Sequence, residues 1–306
     1  MKETQGSSPK NLQKKIVLGF SQVGAESDWR TANSESIKAA AREEGIELLF
    51  LNAQQKPENQ VKDIRSFIVQ QVDVIAFSPI VESGWDTVLK EAKLAGIPVI
   101  IMDRGIDTKD ESLYETYIGS DFTEEGRKAG KWLLEKIGKS NEKVNVVELQ
   151  GTFGSAPTNG RRDGFQEIIR GNPNIRIIRS LTGDFMRSKG KEIMEKFLKV
   201  EGDQIQVVYA HNDDMALGAI EAIEEYGLRP GKDIKIISID AVKAAFEAMK
   251  AGKLNCTVEC NPLQGPALMK AVKDLMEGRP LPKRIVIDEG IFPEETAEKE
   301  AVNRKY

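Results

Sequence analysis

Short, continuously apolar runs alternate along the chain with longer stretches whose apolar residues recur every third or fourth position. The runs predict strands and the stretches predict amphipathic helices. KIVLGF (15–20) opens as a strand, and a helix is expected from about Asp28 to Glu44, stopped by Gly45. IELLFLN, VDVIAFSP and IPVIIMD (97–103) are the next strands, separated by a helix from about Pro57 to Gln71 and by another ending at Gly96. Strands apolar on every residue are covered on both faces, which implies a parallel sheet with helices on either side.

The rhythm then restarts. Helices are expected over about 123–136, 158–170, 186–199, 212–226, 242–251 and 263–277. Between them stand KVNVVELQG, IRIIRSL, IQVVYA, KIISID (235–240) and a strand over 254–260, with a closing segment around RIVIDEG. Two successive doubly wound βα sets fit an α/β protein of two similar lobes better than one long sheet.

Composition narrows the function without naming it. The 306 residues are 40% hydrophobic and 30% charged with a net charge of −4, an ordinary balance for a soluble globular protein. Without a basic excess, a nucleic-acid partner is not expected. No apolar stretch approaches the roughly 20 residues that span a bilayer. The first 14 residues read as a disordered polar leader without the apolar core of a signal peptide. Cys256 and Cys260 share one strand-like stretch. Four extended residues separate their Cα atoms by about 13 Å, beyond the about 7 Å limit of a disulfide, so both are expected as free thiols. A zinc half-site there lacks a second ligand pair, because His211 is the only histidine.

Open parallel sheets bind ligands beyond the carboxyl ends of their strands. Polar planar groups recur at those points: the loop SQVGAESDWR, then Asp103 and Arg104, Arg161 and Arg162 after a turn, Phe185 in GDF, Asn212-Asp213-Asp214, and Asp240. Each alone also fits a helix N-cap. The chain has no G-x-G-x-x-G or Walker-type phosphate loop and no G-x-S-x-G elbow. His211, Asp213 and Asp214 lack the spacing of a helical metal site. No catalytic group, metal or cofactor is therefore expected, and an enzyme with a dispersed active site is the weakest alternative. Carboxylates, amides and guanidiniums that each address two neighbouring hydroxyls suit a polyol, with Trp29 and Phe185 offering apolar faces to a sugar ring.

GFSQVGAESDWR, QQKPENQVKDIRSF, VVELQGT, LTGDFMRSKGKEIME, VYAHNDDMALGAI and GLRPGKDIKIISID together resemble the sugar-binding proteins of ABC importers. The likeness is to the ribose and galactose class of periplasmic binding proteins (type I), nearest its galactofuranose-binding members, and spans about 15–306. It implies two doubly wound lobes joined by a three-segment hinge: 15–119 with 261–287, and 120–260 with 288–306. It implies a monosaccharide ligand, a furanose such as galactofuranose or a pentose, and ABC permease subunits as partners of a monomer. It implies a periplasmic or extracellular location, with an export signal or lipid anchor on a longer native chain. By position, the resemblance makes Trp29 a stacking group and Arg30 a donor. It makes Asp103, Arg104 and Arg161 hydroxyl ligands, Phe185 the second-lobe aromatic, and Asn212 and Asp240 that lobe's amide and carboxylate. Glu26 adds a contact typical of the galactofuranose-type loop, and Asp213 and Asp214 are left structural. One departure stands out: the hinge position that is glutamine in ribose binders falls at Cys260, flanked by Glu259 and Asn261. The same lobes form the effector domain of LacI-type repressors, the second alternative. Those carry a DNA-binding segment of roughly 60 residues ahead of the first strand.

Overall fold

The computed structural model describes residues 15–138 and 142–306; the polar leader expected over 1–14 lies outside the described residues. The first set runs β1 (Val17–Gln22), α1 (Asp28–Glu43), β2 (Glu47–Asn52), α2 (Pro57–Val69), β3 (Val74–Phe77), α3 (Asp86–Leu94), β4 (Val99–Met102) and β5 (Thr116–Gly119). The second runs α4 (Phe122–Ile137), β6 (Val144–Gln150), α5 (Ala156–Ile169), β7 (Ile175–Thr182), α6 (Arg187–Glu201), β8 (Val207–Ala210), α7 (Asp213–Tyr226), β9 (Lys235–Asp240), α8 (Lys243–Lys250) and β10 (Cys256–Glu259). The chain closes with α9 (Gly265–Met276), β11 (Arg284–Val286), β12 (Ile291–Pro293) and α10 (Ala297–Asn303).

Two six-stranded sheets result among the described residues, ordered β11-β5-β4-β3-β1-β2 and β12-β10-β9-β8-β6-β7. The first is parallel throughout. In the second, β12 runs antiparallel to β10, a departure from the all-parallel expectation. This three-residue edge strand enters the second sheet from β11 of the first, so no βαβ crossover within its own sheet fixes its direction. The orders match strand for strand, and in each the chain reverses direction beside the first strand, at β1/β3 and at β6/β8. Those are the switch points where a doubly wound sheet opens a crevice.

The apolar runs bury as their pattern requires. Leu18, Phe20, Ile37 and Ile100 form one first-lobe core together with Leu268 and Val272 of α9, so the chain returns to the first sheet after β10. Phe67, Phe77, Trp85 and Leu89 fill its other face. Val146, Phe165, Tyr209 and Phe246 centre the second lobe, where Ala297 and Ala301 of α10 dock.

Two helix pairs in the second lobe touch backbone to backbone. A Cβ at Gly126 of α4 would stand 2.3 Å from the carbonyl oxygen of Arg161, and one at Gly164 of α5 would stand 2.0 Å from that of Thr123. In α6 and α7, Gly190 and Gly218 do the same against Met215 and Arg187. Only glycine permits such an approach.

Candidate functional site

The loop after β1 leads into α1, whose N-cap Ser27 accepts from the Arg30 backbone N at 3.1 Å. That cap fixes Trp29 and Arg30 in the first turn, facing the switch point. Arg30 is buried and lies 2.7 Å from Asp103 Oδ2 and 3.0 Å from Glu26 Oε1. Asp103 follows β4 at φ +59°, an unfavourable angle for a non-glycine residue, and also accepts from Ser78 Oγ at 2.9 Å. Arg104 donates to the Ile80 carbonyl at 3.3 Å and reaches Glu26 at 3.5 Å. Burial would lower Arg30, but Asp103 and Glu26 outweigh it and raise it; Arg104 is pulled down to about 10 by burial and by the neighbouring Arg30. Glu26 Oε2 is buried without a hydrogen-bond partner among the described residues.

The second lobe answers from three strand ends. Phe185 sits in the turn after β7 at φ +63°. Its ring fits because residue 151 is glycine: a Cβ there would stand 1.9 Å from Phe185 Cζ. The Arg104 and Arg161 guanidiniums lie 5.1 and 5.8 Å from that ring's centroid. Arg161, on α5, bonds Glu125 Oε2 at 2.7 Å and the His211 carbonyl at 2.5 Å, and stands 3.6 Å from Asp240 Oδ1. Asp240 ends β9 at φ +126°, and burial pushes its carboxyl well up in spite of Arg161. Asn212 caps α7 by accepting from Met215 N at 3.0 Å, and its amide donates to the Phe185 carbonyl at 3.1 Å.

Glu26, Trp29, Arg30, Asp103, Arg104, Arg161, Phe185, Asn212 and Asp240 therefore surround one small cavity between the lobes. The same cavity is lined by four residues not assigned to it from sequence, Ser27, Phe122, Pro157 and Cys260. Of the hinge residues left open above, Cys260 is the one that faces it. Its carbonyl accepts from Trp29 Nε1 at 2.5 Å, and the Arg30 guanidinium covers a face of the Trp29 ring at 4.7 Å. Glu125, which braces Arg161, carried no sequence signal beyond the acidic residues common in a helix's first turn.

The aspartates after Asn212 do not cap α7, contrary to the N-cap reading. Asp213 reaches across the sheet to Ser238 Oγ, to Thr257 Oγ1 at 2.8 Å and to the Val242 backbone N at 2.8 Å. Burial lifts it to about 6. Asp214 crosses the cleft and accepts from the Asp28 backbone N at 2.9 Å. His211 places Nε2 3.1 Å from Glu148 Oε1. Burial lowers His211, while Glu148, which burial alone would raise, is carried down to about 2 by bonds from His211, Ser180 and Gln150. A second interlobe contact joins Glu82 N to the Gly154 carbonyl at 2.9 Å and Asn159 Nδ2 to Glu82 Oε2 at 2.5 Å.

Two lobes of one topology, clasped over a charged cavity at their facing switch points, are the architecture of a solute-binding protein. The chain belongs to the periplasmic binding protein family, whose domain profile matches residues 18–280. It is 47% identical over 95% of its length, and 92% of the relative's, to the galactofuranose-binding protein YtfQ of Escherichia coli (strain K12). A Mycobacterium smegmatis structure in complex with β-D-fucofuranose is 53% identical with a TM-score of 0.93, covering 95% of each chain. The periplasmic binding component of the arabinose ABC transporter from Shewanella sp. ANA-3, bound to α- and β-L-arabinofuranose, is 49% identical with a TM-score of 0.91, covering 95% of this chain and 96% of that one.

Proposed function

We propose that this protein captures one neutral monosaccharide in its furanose form between the lobes and delivers it, unchanged, to the permease subunits of an ABC importer. It works outside the cytoplasm as a monomer. The lobes are 15–119 with 261–287 and 120–260 with 288–306, and they rotate about the three connecting segments.

One observation carries the reading. The cavity holds three guanidiniums, Arg30, Arg104 and Arg161, against three carboxyl groups, Glu26, Asp103 and Asp240, drawn from both lobes. Burial holds Asp240 toward its neutral form, but Glu125 behind Arg161 supplies the third negative charge, so the charges cancel and a neutral ligand leaves none uncompensated. Glu26 Oε2, buried and without a partner among the described residues, accepts the hydroxyl that a sugar ring brings.

The furanose preference follows from Arg30. Its guanidinium covers one face of Trp29 and is fixed by Asp103 and Glu26. That leaves a set of fixed donors and acceptors rather than a second stacking face, which favours a ring with an exocyclic hydroxyl chain. The names of the relatives, which speak of galactofuranose, fucofuranose and arabinofuranose, support this over transcriptional control.

A thermal-shift panel of pentoses and hexoses tests it. Ligand at a hundredfold excess over Kd adds about 2.7 kcal/mol of stability, a plain shift. With L-arabinose or D-galactose, calorimetry reports less than one competent equivalent per sugar, because only the minor ring form binds. No shift with any sugar, or turnover of one, overturns the reading. An unchanged radius of gyration in scattering with saturating sugar overturns the hinge rotation.

A further inference from the structure

The chain passes between the sheets three times, and the three passages meet at one half-buried carboxyl group. Glu289, between β11 and β12, accepts from Ser120 Oγ at 2.6 Å and from the Asn261 backbone N at 2.8 Å. Ser120 directly follows β5, and Asn261 lies between β10 and α9. A second carboxyl, Glu125 of α4, lies beside it: one oxygen of each, with Cys260 Sγ, all fall within 4.8 Å of one another.

The surroundings do not supply the positive charge for two carboxylates. Arg161 is the cation at this spot, and it is divided between Glu125 at 2.7 Å and Asp240 at 3.6 Å. Lys128, on the same helix as Glu125, gives its ammonium to the Glu289 backbone carbonyl at 2.6 Å rather than to the carboxylate. Two like charges this close in a buried site do not both ionise at neutral pH. Glu125 Oε1 is also buried with no hydrogen-bond partner among the described residues. A proton on Glu289 removes the repulsion and supplies that donor.

We infer that Glu125 and Glu289 share a single proton, which pins the three passages together beneath the cavity and holds Arg161 in place above it. The remaining negative charge sits on Glu125, beside Arg161 and at the N-terminal turn of α4, where a helix favours an anion. The thiol of Cys260 stays protonated, pushed up by burial and then by Glu125. Burial, then Glu125, lifts Glu289 to about 9. Glu289 and Glu125 are positioning residues: they touch Arg161 and the hinge.

The consequence for the sugar rests on the proposed function, but the proton is tested without it. Unfolding of the wild type is compared with Glu289→Gln, which keeps the shape of the protonated acid, between pH 5 and 10. The unfolded glutamate gives up its proton near about pH 4.3, and the folded one near about 9. The folding constant of the wild type therefore falls, relative to the variant, by about tenfold per pH unit across that window. Parallel profiles overturn the inference. Should the variant not fold, infrared spectra of glutamate-labelled wild type decide: a carboxylic C=O band at pH 7 that disappears near about pH 9 supports it, and no such band overturns it. Stabilisation by added Zn²⁺ that Glu289→Gln abolishes would place a metal in the trio and also overturn it. Sugar affinity of the wild type should weaken above about pH 9 while that of the variant stays level; sugar binding at no pH defeats the proposed function and leaves the unfolding comparison standing.

Discussion

Asp103 and Asp240 occupy equivalent places, each ending a central strand of its sheet at a positive φ, yet they live in different electrostatic worlds. Asp103 is locked at 2.7 Å to Arg30 from its own lobe and accepts from Ser78 as well. Asp240 sees Arg161 only at 3.6 Å, and burial holds its carboxyl well above the usual range. The first lobe ties Arg30 to both Asp103 and Glu26; in the second, Arg161 pairs closely with Glu125 alone and backbone carbonyls do the rest, from His211 to Arg161 and from Phe185 to Asn212. On the proposed closure, the pairs of Arg30 with Asp103 and Glu26, all within the first lobe, stand before the cleft shuts and can seat the ligand first.

Removing the first-lobe carboxylate should break this contrast most visibly. Asp103→Ala leaves Arg30 buried without its closest partner, a loss of about 3–5 kcal/mol. Furanose affinity should fall at least about a hundredfold in calorimetry, and the unfolding midpoint should fall with it. Asp103→Asn, which tolerates a positive φ, should restore the midpoint but not the affinity. Normal binding by either variant would remove Asp103 from the site.

The matching change in the second lobe should be far milder. Asp240→Asn replaces a carboxyl already held toward its neutral form, so affinity should drop by about tenfold or less, the worth of one hydrogen bond. A loss equal to that of Asp103→Asn would erase the asymmetry.

Acid offers a third way to separate the lobes. Burial depresses His211, so the folded protein keeps it neutral while the unfolded chain protonates it near about pH 6.5. Its contribution is fully present above that pH and is lost as pH falls toward the depressed folded value. Because the His211 carbonyl holds Arg161, the second lobe should soften first. Unfolding between pH 7 and 5 should show a slope that His211→Gln reduces; identical slopes would exclude His211.

The smallest effect should come from the clasp. Asn159→Ala deletes one interlobe hydrogen bond, about 0.5–1.5 kcal/mol. Stopped-flow release of sugar should quicken by about two- to tenfold with the association rate unchanged. An altered association rate would mean that Asn159 acts before closure.

Much of this was legible along the chain, for physical reasons. A buried parallel strand must be apolar on both faces, so β3, β4 and β9 stand out in VDVIAFSP, IPVIIMD and KIISID. Strand ends of a doubly wound sheet converge, so the residues after each run were the place to look, and the family resemblance picked out from them the nine side chains that the fold brings around one cavity. β5 was missed because TYIG is four residues long with a polar start, and it is defined by pairing with β4 and β11 rather than by its own pattern. Asp213 was misread because capping is a local rule, whereas its carboxylate bridges β9, β10 and the turn before α8, contacts up to 44 residues away in sequence. Glu125 and Glu289 carried no pattern at all, since 164 residues separate two groups that matter only together.

The glycines between α4 and α5 set how motion is passed on. With backbones seated directly against each other, no side chain lies between Gly126 and Arg161 or between Gly164 and Thr123 to flex and absorb displacement. Helix α4 begins two residues after Ser120 leaves the first sheet, and Arg161 rides on its partner. Under the proposed hinge rotation the pair would act as a gear without backlash: an angle turned at the hinge would arrive at the guanidinium undiminished, and a larger residue at either contact would loosen the drive train before it harmed the cavity's own contacts.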